Sequence, residues 1–247
     1  MKTLRWYRRI AAIYDPICRP LYAGPRRAAV DALQLQPDQT VLDLCTGTGL
    51  NLPLLAQAVG PSGRVIGVDF CPQMIKRAQR RVERMRQHAA SQELGQRIQL
   101  HQHDAAAVHG EDLLRWTGHD HVDAVLCTFG LAVAPNWKQI RQTAWQLLRP
   151  GGRFAIADNQ PFPRYPLRAI NWPWVKAANF SGAAEIRRRT WEFPASAQME
   201  KPRQEFLAGF VFVTAASKVV PTEQATAVTA GTSPAARQRL CASEPAG

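Results

Sequence analysis

Three aspartates stand where a chain can present acids to a ligand. Asp43 lies within the apolar run 41–44, Asp69 directly after the run 64–68, and Asp104 three residues past the run 98–101. Between the first two lies Asp43-Leu44-Cys45-Thr46-Gly47-Thr48-Gly49-Leu50-Asn51-Leu52, a glycine-rich turn between a strand-like and a helix-like segment. Such a turn lets backbone approach a ligand closely. The spacing separates two classes of ligand. A dinucleotide turn, G-x-G-x-x-G, needs glycine at position 52, where Leu52 stands, and Asp43 would repel a pyrophosphate. Asp69 falls twenty residues after Gly49, the interval at which an acid accepts ribose hydroxyls. Phe70 beside it can pack on a purine, and Asp104 can accept from an exocyclic amine. Three carboxylates at successive strand ends suit a nucleoside that carries a cation and no phosphate, which points to S-adenosylmethionine and against NAD or FAD.

The elements that must hold these acids read as an α/β pattern. Five short apolar runs, at 41–44, 64–68, 98–101, 122–127 and 153–157, alternate with helix-like stretches at 52–59, 72–93, 112–116 and 136–148. Runs at βα spacing predict a parallel sheet flanked by helices, with the ligand crevice beyond the carboxyl ends of the strands. Upstream, Trp6, Ile10, Ile13, Tyr14 and Ile17 recur at three- and four-residue steps among Arg5, Arg8 and Arg9, predicting a helix that Pro16 and Pro20 interrupt. A second helix is expected over 25–35. Downstream of Asp158 the rhythm stops in a proline-rich connector, and 206–215 is the best strand signal left.

The order of motifs resembles class I S-adenosylmethionine-dependent methyltransferases over roughly 38–158. Asp43-x-Cys45-x-Gly47-x-Gly49 is similar to their first motif, with cysteine in place of the first glycine. Val68-Asp69 resembles the acidic second motif and Asp104-Ala105 the adenine motif. Residues 122–128 resemble the fourth-strand motif, and Leu148-Arg149-Pro150-Gly151-Gly152 the turn before the fifth strand. The resemblance implies a Rossmann-like seven-stranded, mostly parallel sheet with helices on both faces and an antiparallel last strand. With the periodicity and composition of the flanking parts, the expected division is a helical cap at 1–36, the cofactor-binding core at 37–160, a substrate lid at 161–205, the final strand at 206–220, and a disordered tail at 221–247, where Ala, Thr, Ser, Gly and Pro dominate. The resemblance also implies roles. Asp43 and the Gly47–Gly49 backbone would hold the methionyl part, with Cys45 fitting the tight strand end beside them, and Asp69 the ribose. Phe70 and Met74 would flank adenine, with Asp104 and Ala105 at its amino group. Cys127, Thr128 and Phe129 would line the floor beneath the sulfonium.

Residues 6–15 look like the opening of quinone-biosynthesis and bacterial phospholipid methyltransferases, whose N-terminal Tyr-Asp helps close the site. By that likeness the closing pair is Tyr14 and Asp15. The quinone enzymes carry an Asn-Asp-x-Met-Ser signature that residues 19–35 lack, which leaves an acceptor of the phosphatidylethanolamine type slightly ahead. Methyl transfer from a sulfonium needs in-line approach more than a potent base, so positioning is expected to dominate. Tyr14, Tyr165, His101, His103 and Asp158 are the candidate positioning groups and bases, and none sits in a motif that assigns it a role.

Composition bounds the remainder. The chain has 247 residues, 46% of them hydrophobic, and a net charge of +12. It can bury a core, and no run of about 18 apolar residues is present to span a bilayer. The N-terminus lacks the apolar stretch of a secretory signal. Five cysteines without a C-x-x-C pair predict reduced thiols in a cytoplasmic protein and no metal site. The charge suits anionic partners. The N-terminal stretch, with arginines on one side and Trp, Tyr and Ile on the other, suits an anionic membrane surface on the inner face. It equally suits a cap packed on the core. Lys76, Arg77, Arg80, Arg81, Arg84 and Arg86 keep a nucleic-acid methyltransferase as a rival, although no base-flipping motif accompanies them. A non-catalytic partner protein of the same fold is the other rival, and the complete set of acids and glycines speaks against it.

Overall fold

The computed structural model describes residues 19–171, 173, 185–199 and 203–219. The expected helix over 6–17, the closing pair Tyr14 and Asp15, residues 172, 174–184 and 200–202 of the expected lid, and the tail from 221 lie outside the described residues.

The alternating segments form an eight-stranded sheet in the order β3-β2-β1-β4-β5-β8-β6, with the short β7 pairing alongside β8. Its parallel half comprises β1 (Thr40–Leu44), β2 (Arg64–Asp69), β3 (Ile98–Gln102), β4 (Val122–Thr128) and β5 (Leu148–Asn159). β8 (Val211–Lys218) runs antiparallel to β5, from Arg153 opposite Ser217 to Asn159 opposite Val211. Two short strands, β6 (Ala197–Met199) and β7 (Gln204–Phe206), share the outer edge of β8. The expected seventh strand is therefore joined by an eighth. Residues 206–215 are not one strand either: Leu207, Ala208 and Gly209 all take left-handed backbone and break the run between β7 and β8. Gly209 is required there because a Cβ would stand 2.6 Å from Pro163 Cγ.

Helices cover both faces, and strand parity decides which residues face which layer. On one face, α1 (Ala23–Ala32), α2 (Leu52–Ala58) and α3 (Pro72–Gln87) bury Ala29, Leu55 and Val82 against Val41, Val65 and Leu126. The short α4 (Gln92–Gln96) closes that layer beside β3. On the other face, α5 (Gly110–Thr117) and α6 (Trp137–Leu147) bury Leu113, Ile140 and Ala144 against Leu42, Ile66, Val125 and Phe154. Helices thus cover the parallel strands on both faces.

The long helix expected over 72–93 ends earlier. His88 turns extended, and the Ser91 hydroxyl donates to Met85 O at 3.0 Å, satisfying a carbonyl at the end of α3 before α4 begins. Among the described residues, no helix is long and apolar enough to cross a membrane.

Candidate functional site: a carboxylate crevice at the strand tips

The carboxyl ends of β1, β2 and β4 bring Asp43, Asp69, Cys127, Thr128 and Phe129 to one edge of the sheet. The turn after β1 passes through them, with φ of +56° at Cys45, +59° at Gly47 and +78° at Gly49. Glycine adopts such backbone freely, whereas cysteine at 45 does so under strain. A Cβ on Gly49 would stand 2.6 Å from Leu52 Cδ1. Leucine at 52 thus fills the space beneath the turn where a dinucleotide fold places its third glycine.

Asp43 is fully buried. Its carboxylate accepts from Thr46 Oγ1 at 2.6 Å and from Asn51 Nδ2 at 3.0 Å. Burial pushes its pKa up to about 6, against the pull of these two donors and of the Arg26 charge. Arg26 is the residue that sequence reasoning missed. It enters from α1, is buried, and donates through Nη1 to Thr128 Oγ1 at 2.7 Å and Asn51 Oδ1 at 2.9 Å. Asn51 Nδ2 donates in turn to Thr128 Oγ1 at 2.9 Å. The guanidinium lies 4.9 Å from the Phe129 ring centre, and the Tyr22 ring packs on Phe129 at a 32° tilt, 4.2 Å between centres. Among the described residues, Arg26 Nε is buried without an acceptor. A trace existed in the sequence, since Arg26 falls on the same helix stripe as Ala29, Val30 and Leu33.

Asp69 accepts Gly47 N–H on one oxygen and Cys71 N–H on the other, both at 2.8 Å. Burial raises its pKa, while these two backbone donors pull it down. Each oxygen keeps a further lone pair for a ligand hydroxyl. Phe70 is 59% exposed beside it, and Met74 is buried in the first turn of α3. Asp104 accepts from Ala106 N–H at 2.9 Å and lies 3.4 Å from Asn136 Nδ2, so α6 helps hold it. Ala105 is buried beside it.

Cys127 is a fully buried free thiol in hydrogen-bond contact with the free thiol of Cys45; that contact and burial push its pKa well up, which suits packing rather than nucleophilic attack. A Cβ on Gly130 would stand 2.5 Å from Cys45 Cβ, so glycine there lets the loop after β4 close over both sulfurs.

The weaker candidates separate. Asp158 is fully buried; it accepts from Ala132 N–H and Asn159 N–H, each at 2.8 Å, and burial lifts its pKa to about 7. Its carboxylate fixes the loop after β4, which Arg188 holds from the other side by donating to Leu131 O at 3.0 Å. Tyr165 stands 76% exposed. His101 stacks on Trp116 at 3.9 Å and His103 meets the same ring edge-on, so both belong to the packing of α5. Trp191 packs edge-on against Phe212 of β8. Of the basic helix residues, Arg81 donates to Thr48 O and Arg86 to Gly95 O and Ile98 O, so these two brace the fold.

The donor set fits S-adenosylmethionine. Asp43 is a buried acid able to complement a cationic group, Asp69 retains acceptor capacity for hydroxyls, and the turn carries Leu52 in place of the glycine that a dinucleotide turn requires. Comparison with known proteins agrees. Residues 41–152 match the family described as methyltransferase domain. The chain is 25% identical over 228 residues to demethylmenaquinone methyltransferase of Listeria monocytogenes, spanning 86% of this chain and 88% of that one. It is 34% identical over 132 residues to arsenite methyltransferase of Halobacterium salinarum, spanning 52% of this chain and 30% of the other. The fold also matches geranyl diphosphate C-methyltransferase of Streptomyces coelicolor, with a TM-score of 0.61 at 16% identity over 81% of this chain and 80% of that one. The protein is an S-adenosylmethionine-dependent methyltransferase. Its methyl donor is S-adenosylmethionine.

Proposed function

We propose that the enzyme methylates a small, apolar, quinone-like acceptor, and that positioning rather than a strong base accelerates the transfer. The observation that carries this reading is the extent of the likeness to demethylmenaquinone methyltransferase. It reaches over 228 residues, well beyond the cofactor-binding core, into the parts from which an acceptor site would be built. The arsenite methyltransferase match covers only 132 residues, about the length of that core, and so bears on the donor rather than the acceptor. The phospholipid amine that the N-terminal region favours shares the apolar character and becomes the second outcome of the test.

Bound S-adenosylmethionine supplies a methyl group on a sulfonium, open to in-line attack by an acceptor nucleophile. In this reading Asp43 attracts the methionyl ammonium, and the Gly47 and Gly49 backbone allows close approach. Asp69 takes the ribose hydroxyls, Phe70 and Met74 flank adenine, and Asp104 with Ala105 meets its amino group. Cys45, Cys127, Thr128 and Phe129 form a tight, largely apolar floor. Arg26 holds that floor together by joining Thr128 to Asn51. Asp158 keeps the loop after β4 in place through two backbone N–H groups, and acts on the acceptor only through that loop. Holding both reactants in line can lower the barrier by about 7–11 kcal/mol.

The test is a methyl-transfer assay with labelled S-adenosylmethionine and three acceptors: a reduced demethylnaphthoquinone, phosphatidylethanolamine and arsenite. Label in the quinone ring is the expected result. Label confined to the phospholipid or to arsenite would overturn the quinone-like assignment while leaving the donor chemistry intact.

A further inference from the structure

Away from the cofactor crevice, α3 and β3 enclose a groove of about 960 Å³. β3 is the end strand of the sheet on that side. Its register fixes where each backbone group points. Val65 N–H donates to Arg97 O and His103 N–H to Asp69 O, so odd-numbered residues of β3 pair with β2 and even-numbered ones face outward. Leu100 therefore presents its N–H and C=O to the open side. Ile98 O is taken by Arg86 at 3.1 Å, which marks where the free edge begins.

The wall beside this edge is strongly basic. Lys76, Arg77, Arg80 and Arg84 line it, and Glu83 is the one acid among the lining residues. Among the described residues, no carboxylate lies within ion-pair distance of these four cations. Lys76, Arg80 and Arg84 succeed one another at four-residue steps, about 6 Å apart along the helix axis. Alternate side chains of an extended strand repeat at about 6.8 Å.

We propose that this groove receives a short acidic strand of a partner protein, paired with β3. Carboxylates at every second position of the added strand would meet the cation row. Its backbone would bond to Leu100 and Gln102, and its intervening apolar side chains would cover Leu100. Charge selects this occupant. A second copy of the chain would bring the same cations against themselves. A single-stranded nucleic acid would find no aromatic ring among the lining residues on which to stack a base. A bilayer surface offers no strand to pair with a recessed edge.

The probe is a fluorescein-labelled seven-residue peptide alternating glutamate and valine, titrated into the full chain by anisotropy. A lysine–valine peptide, a twelve-residue oligouridine and phosphatidylglycerol vesicles run in parallel. The acidic peptide is expected to bind saturably. The double variant Arg80→Glu, Arg84→Glu should weaken it at least tenfold while leaving S-adenosylmethionine binding unchanged. Leu100→Pro, which removes an outward N–H, should weaken it comparably without touching the charges. Equal binding by the charge-reversed variant, equal binding of the lysine–valine peptide, or charge-dependent capture of oligouridine or vesicles without the acidic peptide would each overturn the proposal.

Discussion

The guanidinium of Arg26 lies 2.7 Å from the Thr128 hydroxyl, linking the helix that precedes the sheet to the tip of its fourth strand. Asn51 closes the triangle, bonding to both residues and to Asp43. One buried cation therefore organises the floor of the crevice and offsets the charge of its deepest acid.

Replacing Arg26 with methionine keeps the volume and removes the charge. Thr128 and Asn51 would each lose a donor, and Asp43 its nearest compensating cation. Breaking a buried charged cluster from one side costs about 3–5 kcal/mol. Chemical denaturation should show a loss of that order, and calorimetry should show weaker cofactor binding. Arg26→Lys should recover only part of either, because a single ammonium cannot reproduce the fork geometry.

Cofactor affinity should fall in acid. The Asp43 pKa of about 6 means that this carboxyl is ionised at pH 7.5 and largely neutral at pH 5. A neutral acid no longer attracts a cationic ammonium, so the apparent Kd should rise by up to about tenfold per pH unit below 6. Calorimetric titrations at pH 5 and 7.5 check this. A flat profile would remove Asp43 from the ammonium site.

Asp69→Ala should cut S-adenosylmethionine affinity severely while the chain still folds. Gly47 N–H and Cys71 N–H each lose an acceptor, Cys71 at a buried position, so the thermal midpoint should fall as well. An unchanged binding isotherm would relocate the ribose.

At position 45 the backbone decides the sign. Cys45→Gly relieves left-handed strain of about 1–2 kcal/mol and loses the thiol packing, so stability should change by less than about 1 kcal/mol. Cys45→Val forces a branched side chain into the same φ and should destabilise by more. Paired denaturation curves distinguish the two.

Asp158 gives stability its own pH slope. Its folded pKa, raised to about 7 from 3.8, means the folded chain holds the proton more tightly than the unfolded chain does. This group's contribution is greatest below about pH 4 and is lost as pH rises through 7. The thermal midpoint should therefore fall between pH 5 and pH 8 by more in the parent than in Asp158→Asn.

Much of this architecture was legible in advance. The runs that became β1 to β4 are found within a residue or two of where hydrophobic pattern placed them: β1, β2 and β4 are largely buried on both faces and read as mainly apolar runs, and β3 at the edge is marked by Ile98 and Leu100 at alternate positions. Asp43, Gly47, Gly49 and Asp69 come together for the same reason. Boundaries failed where side-chain chemistry intervened. Ser91 satisfies the end of α3 and divides a helix that periodicity continued. Three successive left-handed residues split the last strand at a point where Leu207 and Ala208 look apolar and strand-like. Arg26 escaped because a single cation on an apolar stripe acquires meaning only once its distant partners, at positions 51 and 128, are brought beside it.

The pairing of β5 with β8 has an evolutionary corollary. The chain leaves β5 at Asn159 and enters β8 at Val211, and these two residues sit opposite one another, with Gln160 N–H bonded to Phe210 O at 2.8 Å. Among the described residues, the stretch between them adds only the short edge strands β6 and β7 to the sheet, so it is an excursion whose mouth is stitched shut. Its length can change at an entropic cost that grows only logarithmically, about 0.6 kcal/mol per doubling. Descendants could therefore exchange this stretch to accept new substrates while inheriting the methyl-donor machinery untouched.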